Sequence, residues 1–101
     1  MSTASRPSAL DETEVDDRLL RLRGWTKEDG AITRTLEFRN FSEAKSFVDR
    51  VAELAEQAQH HPDIHIRYDK VTFTLRTHSA GGLTENDFAM AERIDRLALD
   101  R

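Results

Sequence analysis

Two short runs hold the residue types best suited to moving protons at neutral pH: Gln59-His60-His61-Pro62-Asp63 and Thr77-His78-Ser79-Ala80-Gly81-Gly82-Leu83-Thr84. Three of the four histidines lie in them. An unperturbed imidazole titrates near pH ~6.5, so a group of them supplies both a donor and an acceptor for general acid-base chemistry. Neighbouring residues diverge by about 100° on a helix and point to opposite faces on a strand, so His60 and His61 converge only where the backbone is irregular. Pro62 supplies that irregularity, because a proline disfavours helical backbone at the residue before it. Ending a helix between the two histidines lets one ring lie over the last turn while the next swings into a pocket. His78 joins them if a hairpin returns the chain to the helix end, and a shared pocket is the expectation. The plainer alternative is a polar helix terminus whose imidazoles bond the last free carbonyls.

Several neighbours bear on the same chemistry. Glu56 lies four residues before His60 on the same helix face and is placed to orient that ring, or else is simply solvated. Asp87 is first a helix cap and second a pocket carboxylate. Trp25, near a turn at the start of a strand, is more often core, with stacking on a flat heterocycle as its other use. Metal binding by His60, His61, Asp63 and His65 is disfavoured, since His61 and His65 share a face only on a helix and the proline argues against one. Ser79 beside His78 lacks the surroundings of a nucleophile elbow, and Gly81-Gly82 lacks the lysine and the spacing of a phosphate loop.

The elements that must position these residues follow from periodicity. Asp11 caps a first helix, with Leu10, Val15, Leu19 and Leu22 as its apolar stripe and Gly24 as its stop. Trp25 to Lys27 begins an extended segment, Asp29-Gly30 suits a tight hairpin turn, and Ala31 to Asn40 alternates with Ile32, Leu36 and Phe38 on one face, Arg34 being the exception. Ser42 with Glu43 and Lys45 opens a long helix that ends near His60. Ile64, Ile66 and Tyr68 mark a third strand, and Val71, Phe73 and Leu75 a fourth, joined at Asp69-Lys70. Thr84 caps the last helix, with Asp87 where a capping box puts an acid and Phe88, Ala91, Ile94, Leu97 and Ala98 as its stripe. The order α-β-β-α-β-β-α is satisfied most simply by an α+β fold, a four-stranded antiparallel sheet with three helices packed on one face.

At 101 residues the chain has room for a single core, expected over residues 10–101 after a mobile lead-in at 1–9. Its 15 basic and 19 acidic residues are interspersed, which gives no electrostatic footprint for nucleic acid or an anionic membrane. Lacking cysteine, it builds no disulfide and no thiolate metal site. No run approaches the ~18 apolar residues of a membrane span, and the first residues lack the apolar centre of a signal peptide, so a cytoplasmic protein is expected.

The pattern Glu56-x3-His60-His61-Pro62-x5-Tyr68-x9-His78-x8-Asp87, with Gly24-Trp25 and Phe38-Arg39-Asn40-Phe41-Ser42-Glu43-Ala44, resembles the pterin-4a-carbinolamine dehydratases over roughly residues 10–98. The resemblance implies dehydration of 4a-hydroxytetrahydropterin to quinonoid dihydropterin in tetrahydrobiopterin recycling, without a metal or organic cofactor. It implies His60, His61 and His78 as the acid-base set, with Pro62, Thr77 and Ser79 bordering the pterin, and Glu56, Asp87 and Trp25 are added from the reading above as further substrate-binding candidates. It also implies a homodimer or homotetramer and a functional link to an aromatic amino acid hydroxylase. Some animal members double as dimerisation cofactors of a homeodomain transcription factor, so a non-catalytic interaction protein of the same fold is the alternative. This chain departs from the family at Ile64, where many members carry an aromatic residue, and at Ser79, where an acid is frequent.

Overall fold

The computed structural model describes residues 8–99, so most of the lead-in expected at 1–9 lies outside the described residues. The elements are α1 (Glu12–Arg21), β1 (Thr26–Glu28), β2 (Ala31–Glu37), α2 (Phe41–Ala58), β3 (Asp63–Arg67), β4 (Lys70–Leu75), a 3-10 turn at His78–Ala80, and α3 (Glu85–Leu99). Every strand pairing is antiparallel, in the order β1-β2-β4-β3, which puts β2 and β4 in the centre and leaves β1 and β3 as edges.

Period-two alternation gives this sheet two unlike faces. Register sets Ile32 opposite Leu75, Leu36 opposite Val71 and Ile64 opposite Phe73, so the large apolar side chains share one face. Phe47 and Val51 of α2, Phe88, Ala91 and Ile94 of α3, and Val15 of α1 close over them as one core. Fully burying each of the larger ones stabilises the fold by about 1.5–3 kcal/mol. The other face carries threonine pairs, Thr33 with Thr74 at 3.2 Å and Thr35 with Thr72 at 2.7 Å. Arg34 breaks the apolar row of β2 because its guanidinium reaches across to Asp95 of α3 at 2.7 Å.

Helix starts follow local side-chain chemistry. Asp11 and Glu14 form a reciprocal capping box at α1, and α1 is tied to α3 by Arg18, which donates to both carboxylate oxygens of Glu85. The expected opening of α2 at Ser42 is corrected to Asn40, whose side chain accepts the Glu43 amide at 2.9 Å, so the helix begins at Phe41. That earlier start ends β2 at Glu37 and not Asn40, although Phe38 remains buried. In the β1–β2 hairpin Asp29 and Gly30 both take positive φ, 51° and 77°, as a tight turn with the strand's twist requires. Tyr68, expected on the third strand, instead takes φ 54° in the β3–β4 turn and is exposed.

Candidate active site

Helix α2 ends one step earlier than the proline alone dictates. Gln59 adopts the left-handed conformation, φ 53° and ψ 41°, and the His60 amide bonds back to the Ala55 carbonyl at 3.1 Å. Both histidines therefore lie beyond the helix, whose last residue is Ala58, and the chain reverses before reaching them.

That reversal sends the two rings apart, in the opposite order to the one the helix break suggested. His60 turns inward, only 13% exposed, with Nε2 at 2.6 Å from Oδ1 of Asp87, which is fully buried in the first turn of α3. His61 turns back over the last turn of α2 and meets Glu56 at 2.5 Å in an exposed contact. The expected pairing of Glu56 with His60 is thus corrected to His61, because the left-handed residue cancels the four-residue spacing on which it rested. Pro62 is buried behind them and leads into β3.

Hydrogen bookkeeping settles how the buried cluster is wired. Oδ2 of Asp87 accepts from the Thr77 hydroxyl at 2.8 Å and from the Thr84 amide at 2.9 Å. Having spent its only proton there, Thr77 must accept from the Thr84 hydroxyl at 2.8 Å, and Thr84 in turn accepts the Asn86 amide at 3.2 Å. With Asp87 ionised, His60 Nε2 donates to it, and in that tautomer Nδ1 is the nitrogen that carries the lone pair. By the same reasoning Glu56 holds Nε2 of His61 and leaves its Nδ1 free.

Three chain segments meet at Asp87: the exit from α2, the end of β4 and the start of α3. The β3–β4 pairing stops at Asp63 and Thr74, so His60-His61-Pro62 and Arg76-Thr77-His78 flank the sheet at the same end. His78 follows Thr77 directly, in the 3-10 turn closed by Gly81 at φ 75°, and it and Ser79 are exposed. A backbone bridge between Thr77 and Gly82 pins this loop. His60, His61, Pro62, Thr77, Asp87 and the base of the His78 loop are therefore brought to one end of the sheet. Trp25 is not. It is buried, its indole donates to Asp95 at 2.9 Å, and Asp95 lies roughly 12 Å along α3 from Asp87. Thr84, read from sequence only as a cap, is a full member of the cluster; the signal that could have found it is the Thr84-x-x-Asp87 box, which buries the same carboxylate that holds His60.

Such a cluster can orient one imidazole in a dry setting and a second at the solvent edge, on consecutive residues, with a third ring on the facing loop. Among the described residues no group of three or more His, Cys, Asp or Glu side chains is arranged to hold a metal ion. No helix among them is long and apolar enough to cross a membrane.

Comparison with known proteins agrees with this geometry in kind. The family model described as pterin 4 alpha carbinolamine dehydratase matches residues 8–97. A relative from Thermomicrobium roseum, carrying the provisional name pterin-4-alpha-carbinolamine dehydratase, is 51% identical over 89 residues, covering 88% of this chain and 96% of its own. The crystal structure of a transcriptional coactivator/pterin dehydratase from Brucella melitensis superposes with a TM-score of 0.87 at 41% identity, over 90% of this chain and 99% of that one. A pterin dehydratase-like protein identified as a RuBisCO assembly factor in the alpha-carboxysome is more distant, with a TM-score of 0.60 at 27% identity over 73% of this chain and 86% of that one. With the family's pattern running through nearly all the described residues, and relatives matched along almost their whole length, the chain belongs to the pterin 4 alpha carbinolamine dehydratase family.

Proposed function

We propose that the chain is a hydro-lyase that converts 4a-hydroxytetrahydropterin to quinonoid dihydropterin and water, with His60, His61 and His78 as its acid-base set. The reaction needs one proton delivered to the C4a hydroxyl as the C–O bond breaks, and one proton removed from a ring nitrogen as the new double bond forms. Proton count is conserved, so no external oxidant or reductant enters. Two imidazoles backed at Nε2 by carboxylates, each with Nδ1 free, meet that requirement.

The observation that carries the reading is the buried Asp87, which holds the His60 ring while itself locked by Thr77 and Thr84. A helix cap alone needs no histidine partner. In this assignment Asp87 and Glu56 are positioning residues, and Pro62, Thr77 and Ser79 border the pterin. Trp25 is assigned to the core. Stopped-flow absorbance on freshly generated carbinolamine tests the reading: the purified protein should accelerate loss of water well beyond the spontaneous rate, and equal rates with and without protein would overturn it.

A second reading, partner binding without chemistry, draws support from the assembly-factor relative. Retention of three histidines, two of them with carboxylate partners, favours catalysis, since a binding module has no use for the arrangement. In the catalytic reading the carbinolamine comes from a pterin-dependent hydroxylase acting upstream.

A further inference from the structure

Two clefts meet along the seam between α2 and α3. The first, about 240 Å³, is lined by His60 and Asn86 at one end and by Gln57, Met90 and Arg93 further along. The second, about 410 Å³, continues past Gln57 and Arg93 to Leu54, Arg96 and Leu97. Sharing Gln57 and Arg93, they form one groove that leaves the proposed site at His60, its single member from the catalytic set, and runs down α3 away from His61 and His78.

The charged lining of this groove is basic. The chain carries a net charge of −4, yet no acidic residue lines either cleft. Arg18, Arg21, Arg34 and Arg39 all hold carboxylates. Among the described residues Arg93 and Arg96, like Arg23, Arg50, Arg67 and Arg76, hold none, but these two stand together on one wall of the groove. Measured along the helix from Asn86, Arg93 stands roughly 10 Å away and Arg96 roughly 15 Å. Both belong to the same groove as His60, with Leu54, Met90 and Leu97 providing apolar wall between them.

We infer that this groove receives the side chain of the pterin and selects one that bears negative charge, as a phosphate ester or a carboxylate. The inference rests on the pterin reading above and adds the substrate class. With the pterin ring against His60, a substituent of about 10–15 Å laid along α3 brings its anionic end to the two guanidinium groups. Their planar forks match carboxylate and phosphate oxygens alike.

Calorimetric titration with three stable 7,8-dihydropterins tests this directly: one with a neutral dihydroxypropyl chain, its phosphate ester, and a dihydropteroylglutamate. At low salt at least one anionic probe should bind about tenfold tighter than the neutral one, since exposed ion pairs contribute up to about fivefold each. Which probe gains identifies the source of the charge. The double variant Arg93→Ala/Arg96→Ala should lose that advantage and bind the anionic probes no tighter than the neutral one. Equal affinities for all three, or an advantage that survives the double variant, would overturn the inference. Tight arginine-dependent binding with no turnover of any carbinolamine would sink the dehydratase reading alone; turnover with no charge preference would sink this one alone.

Discussion

A single carboxylate organises the candidate site. Asp87 is fully buried and accepts from the Thr84 amide, the Thr77 hydroxyl and the His60 ring. Replacing it by alanine strands three donors in the interior, so Asp87→Ala should lower stability by roughly 3 kcal/mol, read as a fall in the urea midpoint. A midpoint that does not move would show that the cluster contributes nothing to the fold. At this scale sequence was informative about residue types and poor about partners. The histidines, Thr77 and Asp87 stand out by chemistry, and the Thr84–Asp87 box is local. His60 with Asp87 and Arg34 with Asp95 join different elements, and no spacing rule couples residues that far apart in the chain. Glu56 was assigned to the wrong histidine because helical spacing was carried one residue past the point where the helix stops.

Among the elements, the end of α2 decides the site. Gln59 in the left-handed conformation turns His60 towards α3 and His61 back over the helix. Glutamine is not a residue that announces that conformation, whereas glycine or asparagine is, which is why the reversal was not legible. Gln59→Val should cost about 1–2 kcal/mol, because a β-branched side chain resists positive φ, and should reduce dehydration rates by misplacing both rings. Gln59→Gly should retain the wild-type melting temperature and activity; if valine does likewise, the reversal does not position the histidines. Other boundaries were legible where a side chain caps its own backbone, as at Asp11 and Thr84, and where Asp29-Gly30 turns the first hairpin. Asn40 was missed because Ser42, two residues on, is an equally good cap by type.

For the whole molecule, strand and helix periodicity make the element order and the one-sided sheet legible, since that arrangement is the simplest that buries every apolar stripe at once. Assembly belongs to this scale. Among the described residues the edges β1 and β3 each leave one side of a strand unpaired, and pairing one edge with its copy across a two-fold axis would satisfy those backbone groups. We accordingly expect at least a homodimer: light scattering coupled to size exclusion should report a multiple of 11.6 kDa, and a mass of one chain that persists with rising concentration would contradict it. The central claim concerns proton transfer by the three histidines. It is tested most directly by stopped-flow dehydration of a fresh pterin carbinolamine by the wild type and by His60→Ala, His61→Ala and His78→Ala, each verified as folded by circular dichroism. The wild-type rate should lie well above the spontaneous one, with losses of about 10²-fold or more in the variants. Variants that stay folded and match the wild type would contradict it.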